Sequence, residues 1–379
     1  MTGHFTFVYA LFMRTVIFIP PLTKISGGLA TLYRLATVLH AQGREVCLAS
    51  LHKEVPGLPG LLEGGIPYMP FQSLQLGPDD LWLVPESHPN AISPGVGAGA
   101  RVVVYVQNWY YMLSTLPAGV HWQQMPVEFL AVSHPVAWFM QKVLGVSAAA
   151  ILPPVVAPCF FTERPALPES DPTRPIRVAF MPRKNAALAR QMQEVAMAAL
   201  GPKPGFAVEW FPLHNMTPEQ VAAGLASSMV YLASGFPEGF GLPPAEAMAA
   251  GCLVVGFTGF GGWEYMRPAQ LPSRLPGVPG QSDQMGQFGP SGPLAQFSSP
   301  SPPCDLPYSL APNGFYVADG DTIGGGLALA AALHFFRYQP ESLVPLQKAA
   351  SKAASLFTAE QQSRRVAAVW DGFQGRKKQ

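Results

Sequence analysis

Two glutamates, Glu238 and Glu246, flank a turn rich in glycine and proline in the stretch SGFPEGFGLPPAEAMAAGCLVVGF, residues 234–257. Only 12% of the chain is Asp, Glu, Lys or Arg, so two carboxylates at this spacing stand out. Gly239 and Gly241 let the backbone come close to a ligand, and free amides at a helix entrance favour an anion such as phosphate. An anion seat between two hydrogen-bond acceptors suits a nucleotide sugar, in which a diphosphate joins a ribose to a second sugar.

A helix is predicted directly after this turn. Pro243 and Pro244 suit a helix entrance, where missing amide donors cost little, and Gly251 suits its end. Glu246 is therefore expected in the first helical turn, and Glu238 on the loop that leaves the strand MVYLAS at the carboxyl edge of a parallel sheet. A purely structural alternative assigns Glu246 to the helix dipole, worth about 0.3 to 1 kcal/mol, and leaves Glu238 as a solvated loop residue.

The segment EGFGLPPAEAMAAGCLVV resembles the E-x7-E segment of the retaining GT-B glycosyltransferases of family 4, the glycogen synthase-like and sucrose synthase-like clan. Both glutamates, the intervening GFGLP and the continuation EAMAxG match. The resemblance implies that Glu238 contacts donor-sugar hydroxyls near the reacting carbon and acts in catalysis, and that Glu246 holds the ribose diol. It also implies that the intervening residues line the donor, with the last two placing their amides near the diphosphate: Gly239, Phe240, Gly241 and Leu242.

The same resemblance extends to three further places. KISGG puts Gly27 and Gly28 at a helix entrance, where the family has a glycine-rich loop near the donor phosphates. AFMPRKN supplies Arg183 and Lys184, which would neutralise the leaving diphosphate in catalysis, although the family pattern separates its Arg and Lys by several residues. PLHN, residues 212–215, falls where the family contacts the base, which makes His214 a candidate donor-binding residue.

The acceptor side carries no fixed motif. Polar candidates in the first half of the chain are Glu86, Gln107, Asn108 and His134. A lone histidine is more often structural than catalytic. The aromatic run Trp109, Tyr110 and Tyr111 suits either stacking on a sugar acceptor or core packing, of which core packing is the more common role.

Charge and cysteine content exclude several classes of protein. The formal net charge is +1 and Lys and Arg are scattered, so the sequence does not indicate a positively charged surface for nucleic acid. The four cysteines are far apart and form no CxxC or Cys/His cluster, so a reduced compartment without structural zinc is expected. Asp79 and Asp80 precede a strand and lack the DxD spacing of a divalent-ion site. The resemblance implies that cations and helix entrances take the place of such an ion, so no metal and no cofactor are expected.

The N-terminus HFTFVYALFMRTVIFIPP is apolar, but Arg14 interrupts it and no small-residue cleavage site follows. Neither a signal peptide nor a membrane span is predicted, because a span needs about 20 apolar residues. RTVIFIPP is typical of a first buried strand, which raises the hypothesis that translation starts at Met13. A cytoplasmic protein is expected, with weak peripheral association at the inner membrane face as an option.

The secondary-structure elements that must hold these residues are predicted to alternate between strands and helices, as in an α/β fold. Apolar, non-alternating runs such as TVIFIP, RVVVYVQN and CLVVGF alternate with helical patterns, as in parallel sheets covered on both faces. The predicted organisation is an acceptor domain over 1–165, a donor domain over 175–342 with a flexible insertion at 267–312, and C-terminal helices over 343–379 that pack back across the interface. Each domain is expected to be a doubly wound, Rossmann-like sheet facing a shared cleft, the GT-B fold.

These observations predict transfer of a hexose from an NDP-sugar to a saccharide or lipid-linked acceptor, with retention of anomeric configuration. Two alternatives stay open: a nucleotide-sugar epimerase of the same fold, and a non-catalytic sugar-nucleotide-binding protein. The identities of the base, the hexose and the acceptor are not encoded in these motifs.

Overall fold

Two parallel β-sheets form the frame of the protein. The structure is a computed structural model of the 379-residue chain and describes residues 13–52, 54–162, 174–270 and 302–375. The seven strands of sheet A are β1 (Thr15–Ile19), β2 (Val46–Ser50), β3 (Tyr68–Pro70), β4 (Leu81–Pro85), β5 (Arg101–Val106), β6 (Glu128–Ala131) and β7 (Ala150–Ile151). The five of sheet B are β8 (Ile176–Phe180), β9 (Val208–Pro212), β10 (Val230–Ala233), β11 (Leu253–Phe257) and β12 (Gly314–Val317).

Both sheets are doubly wound. Sheet A has the order β3-β2-β1-β4-β5-β6-β7 and sheet B the order β12-β11-β10-β8-β9, with every pair parallel. Every residue of β1, β4 and β5 is buried, which explains why these strands are apolar rather than alternating, apart from Thr15 and Arg101 at the first positions of β1 and β5. The predicted pair of Rossmann-like domains is thereby confirmed.

Helices cover the faces of the sheets. Those of the first half are α1 (Gly27–Ala41), α2 (Leu58–Glu63), α3 (Ser93–Gly97), α4 (Tyr111–Ser114) and α5 (His134–Val143). Those of the second half are α6 (Ala186–Leu200), α7 (Pro218–Ala226), α8 (Leu242–Ala249), α9 (Thr322–Tyr338), α10 (Val344–Ala354) and α11 (Ala359–Gly375). Helices α1 and α7 each begin with a side-chain cap, since Ser26 accepts from the amide of Leu29 and Thr217 forms a capping box with Gln220.

The glycines near the start of α9 permit close helix packing rather than flexibility. A Cβ at Gly326 would lie 2.5 Å from Cβ of Val195 on α6, and 2.8 Å from the carbonyl oxygen of Met192. The two helices therefore approach more closely than side chains would allow, and together they cover one face of sheet B.

The last helix leaves sheet B and packs against the first domain. Trp370 of α11 is fully buried and donates its indole N–H to Oγ1 of Thr15, at 2.8 Å. Asp371 lies 2.6 Å from the Arg44 guanidinium, and the backbone amide of Val156 donates to the carbonyl of Phe357 at 2.9 Å. The C-terminal helices thus join the two sheet units.

The predicted insertion at 267–312 is described only at its two ends. Ala269 donates its amide to the carbonyl of Gly314, and Arg267 bonds Asn313, so the ends meet beside β12. Residues 1–12, which bear on the Met13 hypothesis, and residues 163–173, at the predicted boundary between the domains, lie outside the described residues. Within the described ranges, no helix has the length and apolar character needed to cross a membrane.

Candidate active site

Each sheet has one point where the winding reverses, and the sequence-predicted residues gather there. In sheet A the reversal lies between β1 and β4, and in sheet B between β8 and β10. Ligands of open α/β sheets bind outside the carboxyl ends of the strands at such points. In sheet A these ends lead to Gly27 and Gly28 and to Glu86, and in sheet B to Lys184 and Glu238.

A cleft of about 500 Å³ lies between the two sheets, within the usual size range of a small-molecule site. Its lining includes the following predicted residues: Gly27, Gly28, Arg183, Lys184, Glu238, Gly239, Phe240, Gly241 and Leu242. Neither Glu246 nor His214 is among the described residues that line it. The structure therefore brings both domains' glycine-rich turns and the cationic pair together, and it leaves His214 exposed after β9.

The ion pair between Lys184 and Glu238 lies on the wall of the cleft that the second domain forms. Nζ of Lys184 lies 2.6 Å from Oε1 of Glu238, and the two side chains are 39% and 17% exposed. Asn185 fixes the facing loop, because its amide nitrogen donates to the carbonyls of Ser234 and Phe236, at 3.0 and 2.9 Å. The arrangement presents a cation and a carboxylate side by side, partly open to the cleft.

Arg183 and Lys184 both line the cleft although they are adjacent. After β8 the chain turns, with the amide of Lys184 donating to the carbonyl of Met181 at 3.3 Å. Lys184 bonds Glu238, while the exposed Arg183 acts electrostatically on Glu246. Two cations therefore lie at this wall, although they are adjacent and not separated by several residues as in the family pattern.

Glu246 differs from its predicted position. The helix begins at Leu242, so the two prolines stand in its first turn as predicted, and Gly241 is its N-cap with a left-handed φ of +80°. The carbonyl of Gly241 accepts from the hydroxyl of Tyr265. Glu246 is consequently in the second turn, and the prediction of the first turn was wrong. Burial raises the pKa of Glu246 to about 7, and the nearby Arg183 charge opposes that rise.

The glycine at Gly239 is required by a contact between domains. A Cβ there would collide with the backbone carbonyl of Gln107, and the carbonyl of Gly239 accepts from the Ser133 hydroxyl at 2.6 Å. Phe240 turns its ring away from the cleft, with centroids 5.0 Å from Tyr265 and 4.9 Å from Phe357. Only the backbone of Phe240 is therefore available to a ligand.

The entrance of α1 faces the entrance of α8. A Cβ at Gly27 would lie 3.8 Å from Cδ1 of Leu242, whereas one at Gly28 would collide with the side-chain amide oxygen of Gln107. Gln107 therefore occupies the space that Gly28 leaves. Among the described residues, its buried Nε2 atom has no hydrogen-bond partner.

Two acidic residues outside the recognised motifs accept backbone amides of the first domain. Glu86 accepts the amides of Gln107 and Asn108, at 2.9 and 2.8 Å. Glu264, fully buried, accepts the amide of His134 at 2.7 Å and lies 2.9 Å from its Nδ1. Sequence reasoning named Glu86 and His134 as candidates but missed Glu264, which follows two glycines in GGWEY and carries no motif of its own.

The aromatic run divides between the two roles considered for it. Trp109 packs between the domains, with its ring centroid 5.2 Å from Phe139 and 5.5 Å from Phe260. Tyr110 and Tyr111 are 47% and 43% exposed, and Tyr111 lines the cleft. Core packing explains Trp109, whereas Tyr111 is exposed and lines the cleft.

Comparisons with known proteins agree with this architecture. No family model matches the chain. Over 191 residues it is 22% identical to an alpha-1,6-glucosyltransferase of Actinobacillus pleuropneumoniae, a match that spans 50% of this chain and 56% of that protein.

Among solved structures, a glycosyltransferase from Rickettsia africae is similar with a TM-score of 0.60 and 14% identity, covering 96% of this chain and 100% of that one. The catalytic domain of starch synthase IV from Arabidopsis thaliana, bound to ADP and acarbose, has a TM-score of 0.57 and 13% identity over 96% and 100% of the two chains. At these identities the likeness establishes the GT-B fold, two Rossmann-like domains facing a cleft.

Proposed function

We propose that this protein is a glycosyltransferase that moves a hexose from an NDP-sugar to a saccharide or lipid-linked acceptor, with retention of anomeric configuration. The observation that carries the proposal is the Lys184–Glu238 pair at the winding reversal of sheet B, open to a cleft that both domains line. The resemblance of residues 238–255 to the E-x7-E segment supports it, as does the alpha-1,6-glucosyltransferase relative.

In this proposal the donor lies along the second domain. Lys184 and Arg183 face the diphosphate, and the free amides at the entrance of α8 reinforce them. Glu238 contacts the hexose hydroxyls next to the reacting carbon. Glu246 accepts from the ribose diol, which requires the donor to reach beyond the cleft lining described above, and His214 stays a proposed base contact on the exposed segment after β9.

The chemistry follows from the charges at this wall. As the bond to the anomeric carbon breaks, negative charge builds on the leaving phosphate and positive charge builds on the sugar ring. Cations at the phosphate stabilise the negative charge, and a carboxylate near the ring stabilises the positive charge. These groups are already in place and need not move as the charges form. The leaving phosphate itself then takes the proton of the attacking acceptor hydroxyl, which keeps the acceptor on the same face and retains configuration.

We further propose that the reaction needs no divalent cation, because Arg183 and Lys184 already supply positive charge where the diphosphate would lie. A lipid-linked acceptor would bring the protein to a membrane surface as a peripheral protein. Tyr111 and the exposed Tyr110 provide apolar surface on the acceptor side of the cleft.

The proposal is tested with a panel of UDP-, GDP- and ADP-hexoses. At least one should raise the melting temperature, and the same donor should release its nucleoside diphosphate in the presence of a saccharide acceptor pool. EDTA should leave the rate unchanged. Loss of the rate in EDTA with recovery in Mn²⁺ would overturn metal independence.

The same panel separates the alternatives. An epimerase would interconvert the donor hexose without consuming an acceptor, whereas a non-catalytic binder would show the thermal shift and no product. Absence of any thermal shift or turnover across the panel would contradict the proposed function.

A further inference from the structure

Glu86 is buried beneath the acceptor-side loop of the cleft. Its side chain sits just after β4, at the winding reversal of sheet A, and the residue is 1% exposed. Oε2 accepts the amide of Gln107 at 2.9 Å and Oε1 accepts the amide of Asn108 at 2.8 Å. Burial raises the pKa of Glu86 to about 7, while these two bonds favour the ionised form.

The two residues that Glu86 holds are the ones that touch the other domain next to Glu238. The side-chain amide of Asn108 donates to the carbonyl of Pro237, at 3.1 Å. The carbonyl of Gln107 packs against Gly239 so closely that a Cβ there would collide with it. Glu238 therefore lies between two contacts made by one short loop of the first domain.

The carboxylate is suited to this position in a way that an amide is not. Two neighbouring backbone amides point at the side chain, and a carboxylate offers each of them an oxygen. A glutamine offers one oxygen and one NH₂ group, so one of the two backbone donors would face another donor in a buried site. Leaving a buried donor without an acceptor destabilises that arrangement.

We propose that Glu86 is a positioning residue. It holds the Gln107–Asn108 loop in place and thereby sets the position of the first domain relative to the Glu238 loop. Glu86 also lines the cleft, but both of its oxygens accept backbone amides, so its role is assigned through this loop. The expected effect of Glu86 on turnover rests on the proposed function. Its structural effect on the two loops does not depend on that function.

Hydrogen exchange tests the structural part directly. In Glu86→Gln, exchange of the Gln107 and Asn108 amides should be at least 10-fold faster, and exchange at Glu238 and Gly239 in the other domain should also rise. The matched control is Glu128→Gln, which removes a carboxylate of the same sheet that lies 2.9 Å from Arg101. This control should change neither segment, and faster exchange confined to the first domain would overturn the proposal.

A second variant guards against misfolding of the first. Asn108→Ala keeps the Glu86 carboxylate and removes the bond to Pro237, so it should speed exchange at Glu238 and Gly239 while the Gln107 amide stays protected. Unchanged exchange at Glu238 in this variant would also overturn the proposal.

Kinetics tests the functional part once a donor is identified. Glu86→Gln should lower kcat about 10- to 100-fold and keep the affinity for the nucleoside diphosphate within threefold. A parallel loss of kcat and of affinity would make Glu86 a donor-binding residue and overturn the positioning role. If the wild-type protein turns over no NDP-sugar, the proposed function fails, and the exchange experiment still decides the role of Glu86.

Discussion

Burial raises the pKa of Glu246, and the same side chain contacts the donor ribose in the proposed function. Its pKa is raised to about 7, so its side chain is partly protonated at neutral pH. A ribose hydroxyl that donates to the carboxylate favours the ionised form, and binding therefore draws the pKa down. By linkage, affinity must rise with pH as the free side chain ionises.

NDP-sugar affinity should consequently increase about 10-fold between pH 6 and pH 8, since only about a tenth of a group with pKa 7 is ionised at pH 6. The NDP-sugar is the proper probe because its diphosphate is a diester with no ionisation in this range. Calorimetric titration at several pH values measures the effect, and Glu246→Gln should flatten the profile. A profile that keeps the wild-type slope in Glu246→Gln would contradict the assignment of Glu246 to the ribose.

The sequence predicts which residues come together at the site better than it predicts how their side chains are oriented. The pairing of Lys184 with Glu238 follows from two strand ends at one winding reversal, which the α/β rhythm and the motifs predict together. The inward ring of Phe240 and the second-turn position of Glu246 were missed. Both depend on Tyr265 and Phe357, residues that contact this turn only in the folded chain.

Helix α5 makes hydrogen bonds to the second domain at its first turn. Ser133 caps its first turn and donates to Gly239, and Glu264 accepts the amide of the first helical residue, His134. Tyr308, from the end of the predicted insertion, donates to the same carboxylate. A fully buried carboxylate with these partners stabilises the docked helix, because charge-assisted hydrogen bonds are stronger than neutral ones.

Glu264→Gln should lower the free energy of unfolding by about 2 kcal/mol, since charged hydrogen bonds contribute about 1.5 to 3 kcal/mol and glutamine leaves part of the set unmade. Urea denaturation measures the change. The control is Glu209→Gln, which breaks the partly exposed pair with Arg177 and should cost less than about 1 kcal/mol. Equal costs for the two variants would show that Glu264 does not secure the interface.

Elements were more predictable than the contacts between them. Strands, the start of α1 and the capping box of α7 follow from local patterns, and the structure has them. The bonds Ser133–Gly239 and His134–Glu264 join residues 106 and 130 positions apart, and no local pattern records such pairs. Glu264 therefore had no sequence signal other than its place beside a glycine turn.

The whole molecule is two doubly wound sheets whose winding reversals face one another across a shared cleft. Sheet A contributes Glu86 and the α1 entrance, and sheet B contributes Lys184, Glu238 and the α8 entrance. Helix α11 returns to sheet A, so the chain passes between the two units more than once. This layout suits a donor held by one domain and an acceptor presented by the other.

In the proposed reaction, Glu238 acts on the sugar of a bound NDP-hexose. The most direct measurement is ¹H NMR of the best-stabilising donor with the wild-type protein and with Glu238→Gln, alongside calorimetric binding of that donor. The wild-type protein should consume the donor and first form product with the donor's anomeric configuration, whereas Glu238→Gln should bind within about threefold and turn over at least about 100-fold more slowly. Equal turnover by the two proteins, or a product of inverted configuration, would contradict the account.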